Sequence, residues 1–488
     1  MNNSVSMPRV SKVVVVLAVL AFSLWSPFVF GSNRPFLWAI NGLALSGLVL
    51  FLLPFVPRAF VASDLGRFGG LAFVALVLWI MGSIGMAFVF GPSDVMPAQS
   101  VPTSFRALEP LASFSPSDSF LILIALISHA LLWWTCVQLA RDQWAALVLW
   151  CIFGVVCAYA VVAIANAYFD PIFVLPTQLA RGSDAGSTEL AFINRNHFTT
   201  YLGIGAIVAL SLAMDAARGL SVFGERATAV PRLAIAVFGL TLVVFALLLL
   251  QSRMGLIATS VGLFIVIVVH GVRHRAWVTL CVFLGLYAFG VIVATYVALD
   301  VLERFVRSEL DFGVRFEIYR QAIELWLLRP WTGFGAGSFE TAFSAVKDTR
   351  LYTDRMWTRA HNSYLTVLVE LGIIGSLFLS AVFIWLLIEQ VKALLNQHSL
   401  MGLVGVGALT VVGLHATLDF SLEIYAVMSL LTMVLALSTG INQRDSSADI
   451  APLTPLRMNP SGLGPVAGKA VRFTPSAASS APRKDLNP

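Results

Sequence analysis

Apolar residues occur along this chain in unbroken stretches, separated by short polar segments. An α-helix needs about twenty apolar residues to cross the ~30 Å hydrocarbon core of a membrane, and these stretches reach that length. A transmembrane barrel strand would instead alternate between apolar and polar positions, and the chain shows no such alternation. The pattern predicts twelve spanning helices, near residues 13–30, 36–56, 68–90, 119–140, 144–166, 196–216, 233–250, 254–271, 277–298, 362–388, 401–418 and 422–440.

The composition leads to the same fold class. Apolar residues make up 58% of the chain and charged residues 12%, against about 45–50% and about 25% in soluble proteins. One buried core cannot absorb this much apolar surface, so the composition excludes an ordinary soluble enzyme and favours an all-α polytopic membrane protein. The four cysteines (Cys136, Cys151, Cys157 and Cys281) all lie inside apolar runs, which argues against a disulfide framework or a zinc site.

The net charge of +5 comes from basic residues in short loops between the predicted spans. Such residues concentrate on the cytoplasmic side of membrane proteins, so we interpret them as orientation signals and expect no nucleic-acid partner. Placing the N-terminus in the cytoplasm satisfies this rule, and an even number of spans returns the C-terminus there. We expect a transmembrane domain over residues 1–440 and a cytoplasmic tail over 441–488, whose Pro, Ser, Ala and Gly content predicts disorder.

One segment on the opposite, external face is far longer than a connector requires. Residues 299–361 carry nine Lys or Arg, and long ordered loops are usually functional. Within this loop, residues 315–328 predict an amphipathic helix, because large apolar side chains recur at roughly helical spacing. These side chains are Phe316, Ile318, Tyr319, Ile323, Leu325 and Trp326. Pro330 should end the helix, and a Gly-rich turn follows at residues 332–338.

Two arginines lie on the external face, where positive charge is disfavoured. Arg195 stands at the outer end of the sixth span, and Arg253 stands in the tight turn that joins the seventh and eighth spans. A hairpin turn does not require an arginine. Taken alone, each could be an interfacial residue that extends its charge toward the headgroups. Taken together on the disfavoured side, they indicate a binding site for an anion.

His361 precedes the tenth span, in the stretch Arg-Ala-His-Asn-Ser-Tyr. Histidine accepts a proton near neutral pH, because its ordinary pKa is about 6.5. The alternative role is a helix cap, for which the adjacent Asn362 and Ser363 are residue types of the right kind. Glu370, inside the tenth span, is either a hydrogen-bond partner in the packed interior or part of a site.

His415 and Asp419 are four residues apart, which would place them on one face of the eleventh span. A structural pair and a role in a site both remain open for them. Zinc would require further ligands, and no cysteine lies on this side of the membrane. We therefore expect no metal and no cofactor. The sequence also lacks the P-loop, GxSxG, HExxH and CxxC motifs.

Arginines and a histidine on a lipid-embedded scaffold suit a polyprenyl diphosphate as substrate. The tail of such a molecule lies in the bilayer, and its two phosphates lie at the membrane surface. Guanidinium groups bind phosphate oxygens bidentately and neutralise the charge of a departing diphosphate. A histidine would then deprotonate the hydroxyl group of the acceptor.

Several stretches occur in order over about residues 190–430 and read NRNHFTTYL, QSRMG, GVRFEIYRQAIELWLLRPWTGFGAGSF, RAHNSYLTVLVELGIIG and HATLDFSLEIY. In sequence and in order they resemble the O-antigen ligase family, whose superfamily also holds O-antigen polymerases and protein O-oligosaccharyltransferases. The resemblance implies a multi-spanning glycosyltransferase in the bacterial inner membrane, with a large periplasmic loop and a periplasmic active site.

The resemblance also implies a reaction. The enzyme would transfer O-antigen polysaccharide from undecaprenyl diphosphate to the lipid A–core oligosaccharide, with inversion and without a metal, and so complete lipopolysaccharide. The functional residues of the family map onto Arg195, Arg253 and His361 as catalytic residues. Further candidates for binding the diphosphate or the acceptor are Asn194, His197, Arg315, Arg320, Arg359, Asn362, Tyr364, His415 and Asp419.

Two alternatives remain at this point. A polymerase or a protein O-oligosaccharyltransferase would share the donor site and differ in the acceptor. A transporter, from a different class, predicts polar residues and broken helices in the middle of the membrane, whereas the strongest candidates here lie at one face. The expected partners are the lipid-linked O-antigen, the lipid A–core acceptor and membrane lipids.

Overall fold

The computed structural model of the protein describes residues 9–28, 30–32, 34–55, 68–90, 111–141, 144–168, 192, 194–220, 226–273, 275, 285, 309–347, 351, 357–395 and 401–448. These residues form helices and the turns between them. The α-helices are α1 (Arg9–Phe28), α2 (Pro35–Leu52), α3 (Phe68–Phe90), α4 (Pro116–Arg141), α5 (Ala145–Tyr168), α6 (Arg195–Gly219), α7 (Arg226–Leu250), α8 (Arg253–Arg273), α9 (Glu309–Leu328), α10 (Phe339–Val346), α11 (Ser363–Leu395), α12 (Met401–His415) and α13 (Tyr425–Ala448). Short 3-10 turns lie at Phe30–Ser32, Leu53–Phe55 and Ser421–Glu423.

Eleven of the twelve predicted spans coincide with helices of the described chain. Nine of these helices are long and apolar enough to cross a membrane, and α2 and α12 are shorter apolar helices. The predicted ninth span at 277–298, parts of the predicted loop and the tail from residue 449 lie outside the described residues. The all-helical, polytopic membrane fold is confirmed.

The centre of the helical bundle is α6. Every side chain of α6 from His197 to Met214 is buried, because α5, α7, α8 and α12 pack around it. Small residues allow this close approach. A Cβ atom at Gly203 would lie 2.4 Å from the hydroxyl of Thr259 on α8, and one at Gly205 would lie 2.2 Å from a methyl group of Val156 on α5.

The helix α11 is broken near its start. Gly372 has φ 62° and ψ −173°, which interrupts the helical backbone and leaves peptide groups on both sides without intrahelical partners. The Gly-rich turn after α9 supplies these partners. The amide of Phe334 donates to the carbonyl of Val369 (3.0 Å), and the amide of Ile373 donates to the carbonyl of Pro330 (2.8 Å). The loop is thereby joined to a membrane-spanning helix through backbone hydrogen bonds.

The helix α9 ends before Pro330, as predicted, but it buries a different face from the one expected. Its buried apolar side chains are Ile318, Ala322 and Leu325, whereas Phe316 and Ile323 are exposed. The predicted apolar face was therefore wrong. It combined Ile318 and Leu325 with Phe316 and Ile323, and these two pairs of residues point in opposite directions around the helix.

Replacing Gly372 by alanine should destabilise the protein. Only glycine adopts this backbone conformation readily, and strain of this kind costs about 1–3 kcal/mol. A Cβ atom there would also lie 2.5 Å from the amide nitrogen of Gly333 and from the carbonyl carbon of Trp331. We expect the apparent melting temperature of the detergent-solubilised protein to fall by several degrees.

The matched control for this measurement is Gly154→Ala on α5, where an added Cβ atom meets no other atom within 4 Å. Alanine is the better helix former by about 0.5–1 kcal/mol, so this variant should melt at the same temperature or slightly higher. Equal melting temperatures for the two variants would contradict a strained break at Gly372.

Candidate active site

A buried carboxylate stands between two histidines at one end of the bundle. Asp419 lies in the turn after α12 and is fully buried. Its Oδ1 atom lies 3.4 Å from Nε2 of His197, at the start of α6, and 3.7 Å from Nδ1 of His361, just before α11. The ring of Phe420 contacts both imidazoles, with centroid distances of 4.4 and 5.1 Å. Three distant segments of the chain therefore meet at one carboxylate.

The environment of Asp419 keeps it ionised. Burial alone would raise the pKa of the Asp419 carboxyl, but the neighbouring imidazoles of His197 and His361 hold that pKa well below its ordinary value. The amide of Phe420 also donates a hydrogen bond of 2.8 Å to Oδ1. A charge removed from water needs such partners, because an unpaired buried carboxylate is costly.

His361 is the exposed member of this group. Its side chain is 25% exposed, whereas that of His197 is 4% exposed. Asp419 lies beside Nδ1, and within the described residues no hydrogen bond to Nε2 is present. The φ angle of His361 is 54°, a conformation that is uncommon for residues other than glycine and that often occurs at functional sites.

Several hydrogen bonds hold His361 in this conformation. The hydroxyl of Tyr319 on α9 donates to its carbonyl oxygen (2.9 Å). Asn362 caps α11, since its Oδ1 accepts from the amide of Leu365 (3.0 Å), and its Nδ2 donates to the carbonyl of Thr417 (3.0 Å). The predicted cap residue therefore performs that role, and His361 is left outside the helix.

The prediction that His415 and Asp419 share one face of a helix is wrong. The helix α12 ends at His415, so that Asp419 lies in the following turn and faces the other two histidines. His415 is buried, and its Nδ1 lies 2.8 Å from the hydroxyl of Ser421. Thr200 of α6 donates to the same hydroxyl (3.0 Å). Through the hydroxyl of Ser421, His415 and Thr200 thereby stabilise the turn that carries Asp419.

Arg359 forms an ion pair with Glu423, a residue that the sequence did not single out. The pair joins the segment that leads into His361 to the 3-10 turn that follows Asp419. Burial raises the pKa of the Glu423 carboxyl to about 8, and Arg359 offsets only part of this effect. The nearby carboxylate of Glu370 raises the pKa of Glu423 further, because the negative charge of one carboxylate disfavours ionisation of the other.

Glu370 has a structural role. Its two carboxylate oxygens accept hydrogen bonds from the amides of Gly337 (2.8 Å) and Phe339 (3.2 Å). These amides lie at the start of α10, where backbone donors lack intrahelical acceptors. Of the two roles that the sequence left open for Glu370, the structure shows the packed hydrogen-bond partner.

The two candidate arginines each begin a helix at the same end of the bundle. Asn194 caps α6 by accepting from the amide of Asn196 (2.8 Å). Asn196 in turn accepts a hydrogen bond of 2.8 Å from the hydroxyl of Ser252, the residue before Arg253. The starts of α6 and α8 are therefore adjacent. Arg195 is exposed and lies in the same helical turn as His197, which contacts Asp419.

The other predicted residues divide into two groups. Arg315 donates to the carbonyl of Leu418 (3.2 Å), and Tyr364 donates to the carbonyl of Gly413 (2.8 Å), so that both contact the end of α12 or the turn after it. Arg320 lies apart from them, in ion pairs with Glu317 and Glu324 of its own helix.

Sequence reasoning missed Phe420, Ser421 and Glu423 as members of this site. Their only sequence signal was their position beside Asp419 in the stretch HATLDFSLEIY. In the part of the chain that the structure describes, no group of three or more His, Cys, Asp or Glu side chains is arranged to hold a metal ion.

The fold and the site define a class of protein. It is a polytopic helical membrane protein that has arginines at one end of its helical bundle, together with a histidine that contacts a buried carboxylate. Residues 238–380 match a family model described as O-antigen ligase. The match confirms the resemblance seen in the sequence, and residues 238–380 are similar to the O-antigen ligase family. That family in general implies glycosyltransferase-like activity on lipid-linked glycans. The matched segment includes Arg253 and His361, whereas Arg195 and Asp419 lie outside it. No curated protein matches the chain.

Replacing Glu423 by glutamine should change how stability depends on pH. The pKa of the Glu423 carboxyl rises from 4.5 to about 8 on folding, so that folding favours the protonated acid. Its contribution to stability is fully present below about pH 4.5 and is lost as the pH rises to about 8. Relative to Glu423→Gln, the wild-type melting temperature should therefore fall between these pH values and level off above them. A difference that does not vary with pH would contradict this assignment.

Proposed function

We propose that this protein is an O-antigen ligase. It transfers O-antigen polysaccharide from undecaprenyl diphosphate to the lipid A–core oligosaccharide and so completes lipopolysaccharide. The reaction takes place on the periplasmic face of the bacterial inner membrane, with both termini of the chain in the cytoplasm. The observation that carries this proposal is the partly exposed imidazole of His361, whose Nδ1 faces the buried carboxylate of Asp419.

His361 is the general base for the acceptor. A carboxylate beside Nδ1 favours the tautomer with the proton on that nitrogen, which leaves the lone pair of Nε2 to accept a proton. The carboxylate also stabilises the imidazolium ion that forms. The acceptor is a sugar hydroxyl, whose high pKa means that it gains most from such a base.

Arg195 and Arg253 bind the donor diphosphate. Each begins a helix, and the N-terminus of a helix carries a partial positive charge and backbone N–H groups that favour phosphate. The hydrogen bond between Ser252 and Asn196 (2.8 Å) keeps the two helix starts side by side. Two guanidinium groups next to two helix starts suit two adjacent phosphates better than a single anion.

The transfer then proceeds in one displacement. The acceptor oxygen attacks the anomeric carbon as its proton passes to Nε2 of His361, and a new glycosidic bond forms. The bond from that carbon to the diphosphate oxygen breaks, and undecaprenyl diphosphate leaves with its charge countered by the two arginines. A single displacement inverts the anomeric centre. Because guanidinium groups supply the positive charge, the proposed reaction requires no metal.

Alanine in place of Arg195 or Arg253 should reduce ligation by about 10- to 100-fold. Each substitution removes charge-assisted contacts worth about 1.5–3 kcal/mol. Lysine should restore activity only in part, since it lacks the bidentate geometry of arginine. The measurement is complementation of a deletion strain, followed by gel profiling of lipopolysaccharide. Loss of long-chain bands with accumulation of polyprenyl-linked polymer is the expected result.

The matched control is Arg226→Ala. Arg226 also begins a helix, α7, and is exposed, but it lies at the opposite end of α7 from the turn that carries Arg253. This variant should ligate normally. Full activity of Arg195→Ala and Arg253→Ala would contradict diphosphate binding by these residues. Loss of the polymer itself in the deletion strain would identify a polymerase instead of a ligase.

Replacing His361 by alanine should reduce turnover by about 10²- to 10⁴-fold, the usual effect of losing a general base. Donor binding should change little, because the arginines hold the diphosphate. The defect should become smaller at high pH, where hydroxide partly substitutes for the missing base. Turnover and donor affinity are measured separately on purified protein in lipid nanodiscs.

His361→Gln is the second variant in this test, since glutamine can still form hydrogen bonds but cannot accept a proton near neutral pH. It should be nearly as inactive as His361→Ala. If His361→Gln retains most of the activity, or if donor affinity falls together with turnover, His361 does not act as the base for the acceptor.

A further inference from the structure

The helix α9 is apolar on two opposite faces. Its inner face packs Ile318, Ala322 and Leu325 into a cluster with side chains of α10 and α11. Its outer face presents large apolar side chains at helical spacing, and this row continues just past the end of the helix. The outer face consists of Phe316, Ile323, Leu327 and Trp331, which are 77%, 44%, 59% and 63% exposed. An exposed row of large apolar side chains marks a contact with a protein or a membrane and is unusual on an aqueous surface.

The charged side chains beside this outer face pair with one another. Arg320 forms ion pairs with Glu317 and Glu324, one turn away on either side. Paired charges of this kind lower the cost of bringing the helix close to a medium of low dielectric constant. No described residue from another part of the chain covers Phe316 or Leu327, both of which remain exposed.

The end of α9 is bonded directly to a membrane-spanning helix. The amides of Ile373 and Ile374 in α11 donate to the carbonyls of Pro330 (2.8 Å) and Trp331 (3.2 Å). From this point α11 continues to Leu395, a length of roughly 35 Å at 1.5 Å per residue, which is enough to cross the hydrocarbon core. The hydrogen bonds therefore place Trp331 beside the start of this stretch of α11. Tryptophan is enriched where membrane-spanning helices enter the bilayer.

The helix α11 also exposes apolar side chains beyond the break at Gly372. Leu377 is the first strongly exposed apolar side chain of α11 after the break, and Ile384 and Ile388 are exposed further along the same helix. We propose that α9 is an interfacial membrane helix whose outer face contacts the lipid leaflet on the side of the candidate site. Helices of this kind lie with their apolar side chains at the boundary between headgroups and acyl chains.

This contact connects the membrane surface to the site. On other sides of α9, Tyr319 donates to the carbonyl of His361 (2.9 Å) and Arg315 donates to the carbonyl of Leu418 (3.2 Å). The helix thus lies between the lipid leaflet and the two segments that carry His361 and Asp419. The proposal does not depend on the substrate of the enzyme, because it concerns only the medium that covers α9.

Site-directed spin labelling tests this proposal. Single cysteines replace Phe316, Ile323 or Leu327 in a full-length protein whose native cysteines are changed to serine or alanine. The labelled protein is reconstituted into vesicles of phosphatidylethanolamine and phosphatidylglycerol. Molecular oxygen collects in lipid, and a nickel chelate collects in water. We expect collisions with oxygen to exceed collisions with the chelate at all three positions.

Two further labelled positions are the controls. A label at Leu377 reports a side chain of a membrane-spanning helix, and one at Ser344 reports an exposed polar side chain of the neighbouring helix α10. The three α9 labels should resemble Leu377, whereas Ser344 should favour the nickel chelate. Because three exposed positions are tested, one variant that fails to fold leaves two independent readings.

Two results would overturn the proposal. Preference for the nickel chelate at all three α9 positions, as at Ser344, would show that water covers the outer face. Spin–spin broadening that disappears when labelled protein is diluted with unlabelled protein would show that a second copy of the chain covers it.

Discussion

Asp419 carries a negative charge out of contact with water, and the geometry of the site follows from that constraint. A carboxylate in this position is stable only when hydrogen-bond donors and positive charge approach it closely. His197 comes from the most buried helix of the bundle, and His361 comes from the segment after the long loop. Their approach to one oxygen fixes how the start of α6, the start of α11 and the turn after α12 lie relative to each other. Side chains that are far apart in the sequence are thereby brought into contact at one carboxylate.

A second constraint acts on the loop. The break at Gly372 leaves backbone groups of α11 that would be costly in a membrane without partners, and the Gly-rich turn supplies them. Glu370, beside the break, holds the start of α10. The loop between 299 and 361 is therefore attached to a transmembrane helix at the position where α9 ends. The same loop carries Tyr319, which donates a hydrogen bond to the carbonyl of His361.

The two sets of candidate residues differ in how they are held, and the difference matches their proposed roles. Arg195 lies at a helix start with its side chain exposed, as suits a residue that must reach a mobile lipid headgroup. His361 is fixed by Tyr319, Asp419 and the cap of α11, as suits a group that must meet a hydroxyl in one orientation. The ion pair between Arg359 and Glu423 joins the segment that leads into His361 to the 3-10 turn that follows Asp419. In the proposed mechanism, donor binding relies on charge and proton transfer relies on fixed geometry.

The sequence by itself determined the features that depend on local patterns. Run length indicated the spans, Pro330 marked the end of α9, and the position of the polar residues indicated one end of the bundle as the site. It also selected Asp419, but it paired this residue with His415 because helical spacing is the only proximity that a sequence displays. Only the tertiary structure decided that α12 ends at His415, so that Asp419 faces His197 and His361 instead. The same limit applies to α9, because apolar side chains on two opposite faces of its sequence do not say which face packs inward. The pairing of a buried charge and the burial of a helix face depend on which distant segments pack together, and local periodicity carries no information about that packing.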